Sequence, residues 1–164
     1  MATRLTHEQI FAGDPATVMA MFRDPAYVEL KCQRTGSRET TVVVVETLDG
    51  GCVITSTRVL PARVPAVAAP FVGETLTVTE IQTWGMLDAD GMALATATVD
   101  FGAPMTFSGR ITLSPSANGS LVITEGQFKA SVPFVGGKIE QGGVEQTRRY
   151  LDVEEGVGNE WLSR

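Results

Sequence analysis

Apolar positions along this chain keep more than one period, and each change of period marks a change of element. Arg4–Phe11 alternates loosely, with Leu5, Ile10 and Phe11 apolar, and predicts a strand. Gly13-Asp14-Pro15 follows, where Asp14 suits an N-cap and Pro15 the first helical position. Val18, Met19, Met21 and Phe22 then recur at helical spacing. Asp24-Pro25 repeats the start signal, so a second short helix is predicted to about Gln33, with Tyr27, Val28 and Leu30 as its apolar positions. From Glu39 the period becomes two. Thr40–Leu48 is rich in Thr and Val, which favour a pleated surface, and Asp49-Gly50-Gly51 predicts a hairpin turn. Val53–Leu60 sets Val53, Thr55, Thr57 and Val59 against Ile54, Ser56, Arg58 and Leu60. Thr75–Trp84 carries Leu76, Val78 and Trp84 on one parity. After the turn Asp88-Ala89-Asp90-Gly91, Ala93–Phe101 places Ala93, Ala95, Ala97, Val99 and Phe101 on one face. Met105–Leu113 and Leu121–Val132, joined through the turn-rich Ser114–Gly119, complete an antiparallel meander.

The period changes once more at the end. In Val135–Leu162 the apolar residues Val135, Ile139, Tyr150, Val153, Val157 and Trp161 fall on one helical face. Such a helix is about 39 Å long at 1.5 Å per residue. Gly142, Gly143 and Gln146 interrupt the stripe, so the helix thins where it crosses something, or bends there. The element order predicts an α+β fold in one domain, residues 1–164. A curved antiparallel sheet of about seven strands wraps around the long C-terminal helix, and the two short helices after the first strand plug one end. Small residues at Ala93–Ala97 facing Gly142 and Gly143 either leave a void or permit close helix–sheet approach. Pro61–Gly73 is apolar yet carries Pro61, Pro65 and Pro70, an unusual make-up for a surface loop and suited to a lid at a cavity mouth.

Composition narrows the function. With 43% hydrophobic and 20% charged residues in 164, the chain has apolar matter for a core, which excludes disorder. A net charge of −6 and a pI of about 4.8 exclude nucleic-acid binding driven by phosphate neutralisation. One histidine and two cysteines exclude a His-rich metal site and a disulfide framework. Cys32 and Cys52 read as reduced packing thiols, and no metal or other cofactor is expected. The start lacks the apolar core of a secretory signal, and the longest apolar runs, Val42–Val45 and Ala66–Val72, are too short to span a bilayer. No integral membrane segment and a cytoplasmic location are expected.

Two stretches carry a family resemblance. Phe11-Ala12-Gly13-Asp14-Pro15-Ala16-Thr17-Val18, followed by Phe22-Arg23-Asp24-Pro25-Ala26-Tyr27, resembles the opening strand and paired helices of the START-like (SRPBCC) superfamily. Val132-Pro133-Phe134-Val135-Gly136-Gly137-Lys138-Ile139-Glu140 resembles its last strand turning into the long helix, and Trp161-Leu162 its terminus. The resemblance covers nearly the whole chain and is closest to an uncharacterised bacterial branch common in actinobacteria. It implies the helix-grip fold and a cavity for a hydrophobic ligand. It implies no single activity, since this fold hosts lipid transfer, cyclases, hydrolases and co-chaperones.

Candidate chemistry is sparse. His7 sits among polar neighbours and reads as a solvated strand residue. Glu80 shares the parity of Leu76, Val78 and Trp84, so it either faces the cavity as a general acid or base or pairs with an arginine. Glu140 suits the start of the long helix. Glu145, Arg148, Arg149, Asp152, Glu154 and Glu155 read as its solvated face, with Glu145–Arg149 and Arg148–Asp152 as i,i+4 pairs. Pro133–Gly137 reads as a tight turn, without a Walker or Rossmann pattern. The expected cavity wall is Phe22, Tyr27, Phe71, Trp84, Ala95, Ala97, Phe101, Phe107, Phe128, Ile139, Gly143 and Tyr150. The expected partner is a hydrophobic small molecule, lipid or polyketide-like, bound between sheet and helix. A cyclase- or dehydratase-type enzyme using a cavity carboxylate, and a protein-interaction module, are the alternatives.

Overall fold

The computed structural model describes residues 2–164. Strand β1 (Thr3–Phe11) leads to helices α1 (Pro15–Phe22) and α2 (Pro25–Arg34). Strands β2 (Glu39–Glu46), β3 (Cys52–Pro61), β4 (Thr75–Trp84), β5 (Ala93–Ala103), β6 (Met105–Ser116) and β7 (Gly119–Ala130) follow, and helix α3 (Gly136–Leu162) ends the chain. Both short helices start as their sequences predict. The Thr17 amide donates to Asp14 Oδ1 at 2.8 Å, and the Ala26 amide to Asp24 Oδ1 at 2.9 Å. The strands form one antiparallel sheet in the order β1-β7-β6-β5-β4-β3-β2. β1 and β2 are neighbours in the chain but opposite edges of the sheet, so α1 and α2 carry the chain from one edge to the other.

Helix α3 packs over β1 and β7 and against α2. Its buried residues are Ile139, Glu140, Gly143, Val144, Leu151, Glu154, Val157 and Gly158. The expected stripe is therefore rotated: Val153 is exposed, and Tyr150 and Trp161 are half-buried. The cause is that glycines and glutamates occupy inward positions where bulky apolar groups were sought. Gly143 lets the sheet come close, since a Cβ there would stand 2.8 Å from Met105 Cε and 3.0 Å from Phe128 Cδ1. Gly142 does the same for the connection between β3 and β4, at 2.7 Å from Pro65 Cγ. At these two points the glycines permit close approach.

Side chains of α3 also complete the outer edge of β1. The Ile10 amide donates to Glu155 Oε2 at 2.7 Å and the Ala12 amide to Asn159 Oδ1 at 2.8 Å. Asn159 Nδ2 donates back to the Ile10 carbonyl at 3.0 Å, and Arg148 to the Thr6 carbonyl at 3.0 Å. These bonds occupy part of that edge and leave it less open to another strand. The expected Arg148–Asp152 pair gives way to this bond, and Asp152 instead approaches His7, with Oδ1 3.1 Å from Nε2. His7 is accordingly half-buried in the seam between β1 and α3 rather than solvated. Glu140 is fully buried and accepts from Thr3 Oγ1 at 2.8 Å and the Ala130 amide at 2.9 Å, tying α3 to β1 and β7.

Candidate functional site

The sheet curves away from α3 on the side of β3, β4 and β5, and a cavity of about 880 Å³ lies between them. Alternation along each strand makes the wall. Ile54, Ser56, Arg58 and Leu60 come from β3, and Leu76, Val78, Glu80, Gln82 and Trp84 from β4. Ala97, Val99 and Phe101 of β5, Phe107 and Ile111 of β6, and Val122, Thr124 and Phe128 of β7 continue it. Ile139, Gly143, Tyr150 and Leu151 of α3 form the roof. Phe22, Val28 and Lys31 close one end. Val64, Pro65, Ala68, Phe71 and Val72 of the β3–β4 connection close a side, with Phe71 still 50% exposed. Gly109 and Gly126 are register partners, and the Phe107 ring lies against both of them, where a Cβ at Gly126 would collide with it.

Of the residues expected on the wall, Phe22, Phe71, Trp84, Ala97, Phe101, Phe107, Phe128, Ile139, Gly143 and Tyr150 line the cavity. Tyr27 and Ala95 do not. Ala95 is the register partner of Trp84 and Ile111, whose larger side chains take the wall at that level. Tyr27 is fully buried in the end plug, its ring centroid 6.3 Å from that of Phe22 and 5.7 Å from that of Trp161. Its hydroxyl has no hydrogen-bond partner, and burial pushes its pKa up. A buried donor without an acceptor is destabilising. Tyr27→Phe is therefore expected to leave stability unchanged or raise it by about 1 kcal/mol. Urea unfolding checks this, and a clear loss would show that the hydroxyl is bonded in the folded protein.

Polar groups on the wall fall into two sets. In the first, Lys31 Nζ lies 2.7 Å from Glu154 Oε2, with side chains 8% and 9% exposed. Gln9 Nε2 donates to Glu154 Oε1 at 3.0 Å and to the Leu151 carbonyl at 2.8 Å. Burial is the largest single effect and opposes the ammonium charge, but Glu154, Tyr150, Glu80 and Tyr27 together outweigh it and hold the lysine's pKa well above its usual value. Glu154 is thus part of the interior, not of a solvated helix face. In the second set, Arg58 is 5% exposed, and its Nε and Nη1 have no acceptor. Its guanidinium carbon stands 4.3 Å from the Tyr150 ring centroid, and the Tyr150 hydroxyl is also without a partner. Glu80 is a register partner of Ser56, one step diagonal from Arg58, and opens into the same cavity. Burial opposes the guanidinium charge, yet Tyr150, Glu80 and Cys32 together more than offset it.

Gln9, Lys31, Arg58 and Glu154 were missed as site residues. Only Arg58 carried a signal, its shared parity with Ile54 and Leu60. Cys32 and Cys52 are free and buried. Among the described residues no three His, Cys, Asp or Glu side chains gather as a metal site. No described helix is long and apolar enough to cross a membrane.

Residues 6–162 match the family described as a protein of unknown function, DUF2505. The chain belongs to this family. No curated protein matches it significantly. Among solved structures, Zhui aromatase/cyclase from Streptomyces sp. R1128 superposes with TM-score 0.65 at 12% identity, over 100% of this chain and 95% of that one. TTHA0849 from Thermus thermophilus gives 0.64 at 15%, over 95% and 97%. Ara h 8.0201 gives 0.57 at 17%, over 100% of both chains. At such identities the likeness is one of fold, and it places this member of DUF2505 among the helix-grip proteins.

Proposed function

We propose that this protein takes up a hydrophobic small molecule, lipid or polyketide-like, and holds it between the sheet and α3. The observation that carries the reading is the cavity of about 880 Å³ itself, walled chiefly by apolar side chains that do not fill it. Protein interiors normally pack to the density of organic crystals, so an interior space of this size is a feature to be explained. Ligand pockets of roughly 300–1,000 Å³, mostly apolar with a few polar groups, are typical of small-molecule sites. Burial of apolar surface at about 25 cal/mol per Å² would supply most of the affinity. The half-exposed Phe71 belongs to both the cavity wall and the surface, as a residue at a mouth does.

Native mass spectrometry of protein purified without detergent, together with titration of the neutral dye Nile red, tests this. A co-purified mass of small-molecule size, or saturable and blue-shifted dye emission, is expected. Absence of both overturns the reading. A second reading is favoured by one observation, the opening of Glu80 into the cavity beside Arg58. A cyclase- or dehydratase-type enzyme would use that carboxylate as general acid or base on the held molecule. Glu80→Gln would then preserve retention of the ligand and stop its conversion.

A further inference from the structure

Buried charge in this protein is mostly answered within the fold. Lys31 has Glu154, and Glu140 takes hydrogen bonds from Thr3 and Ala130. Arg58 is different. Among the described residues the basic side chains within 4.0 Å of a carboxylate are His7 at Asp152, Arg23 at Glu46, Lys31 at Glu154, Arg34 at Glu160 and Arg110 at Glu125, and Arg58 is not one of them. It is nonetheless 5% exposed, lines the cavity, and has two nitrogens without an acceptor. One face of the guanidinium is taken by the Tyr150 ring. Leaving a buried cation without hydrogen-bond acceptors is costly, and a planar guanidinium is the side chain best shaped to receive an oxygen anion. The surrounding wall is apolar: Val78, Val99, Phe107 and Phe128 line the same cavity.

We propose that the cavity's ligand is an amphipathic acid, with an anionic oxygen head of carboxylate type seated on the Arg58 guanidinium and its apolar body along the aromatic and aliphatic wall. The proposal rests on the cavity reading above and adds the ligand's charge and orientation to it. Glu80, diagonal to Arg58, moderates the site: its carboxylate repels the head and sets how tightly the acid is held. Were Arg58 only a packing partner of Tyr150 and a counter-charge to Glu80, the cavity would not distinguish an acid from its neutral ester.

The experiment is a fluorescence titration of the whole protein with cis-parinaric acid and with its methyl ester. The acid is expected to bind about 10- to 100-fold more tightly, the range of one hydrogen-bonded charge. Arg58→Gln is expected to remove that preference and leave ester binding unchanged. Glu80→Gln is expected to tighten the acid and not the ester. Equal binding of acid and ester by the unaltered protein, or a preference that survives Arg58→Gln, overturns the proposal and leaves the cavity reading standing. Failure of acid, ester and Nile red alike overturns both. Should Arg58→Gln fail to fold by circular dichroism, the acid–ester ratio of the unaltered protein and its rise in Glu80→Gln still decide the matter.

Discussion

Glu154→Leu is expected to lower the free energy of unfolding by about 3–5 kcal/mol, read by urea denaturation at neutral pH. The substitution leaves the Lys31 ammonium in an interior where both partners are more than nine-tenths enclosed. It also takes from Gln9 Nε2 one of its two acceptors, leaving the Leu151 carbonyl. Breaking a buried pair from one side is costly because the remaining charge is uncompensated, whereas removing both ends is often neutral. The double variant Lys31→Met/Glu154→Leu is therefore expected to regain most of the loss. The pH dependence follows from the same pair. Burial lowers the folded-state pKa of Lys31, but Glu154, the largest of the raising effects, together with Tyr150, Glu80 and Tyr27 carries it above its ordinary value of 10.5. A raised lysine contributes its full stabilisation below the unfolded-state value and loses it as pH rises through the folded-state value. The lysine thus supports the fold throughout the neutral range, and its contribution fades as pH rises on the alkaline side. A single-variant loss below about 1 kcal/mol would place the pair in the class of solvent-screened surface bridges.

Phe128→Ala is expected to cost about 3–5 kcal/mol in the same assay. The ring is 0% exposed, 4.9 Å from the Phe107 centroid and 6.0 Å from that of Phe101. It also meets α3 at Gly143, so it is the point where sheet and helix touch through an aromatic face. Truncation costs most where the surroundings do not collapse into the space. Here β7 is held on both sides by paired strands, β1 and β6, and little movement is open to it. Phe128→Leu keeps most of the volume and should cost less than half as much. If alanine proved as mild as leucine, the helix would be settling onto the sheet at Gly143.

Local chemistry made most of the fold legible. Asp14-Pro15 and Asp24-Pro25 named both short helices because a cap acts within a few residues. Alternation in Ala93–Phe101 named the inner face of β5 because a pleat has period two whatever it packs against. What stayed hidden was settled by partners far along the chain. Glu154 is charged and lies in a charged run of α3, so nothing nearby marks it as interior; its partner Lys31 is 123 residues away. Gly142 and Gly143 fitted a void or a close approach equally well until Pro65 and Met105 were seen against them. Tyr27 and Tyr150 are both helical tyrosines, yet one fills the end plug and the other the roof, a difference of position across helices.

The hydrogen bonds from α3 to the outer edge of β1 have a kinetic consequence. Lifting that helix would strip Thr6, Ile10 and Ala12 of their partners and bare a strand edge to solvent. The opposite wall is held differently. Between Pro61 and Thr75 the backbone bonds close within the segment, as in Ala62 to Glu74, Ala68 to Pro65 and Phe71 to Ala68. That segment can move without breaking these backbone hydrogen bonds. On the ligand-binding reading proposed above, entry and exit are expected to meet their lowest barrier there, so that the dwell time of an occupant would belong to a proline-stiffened flap and not to the helix that forms the roof.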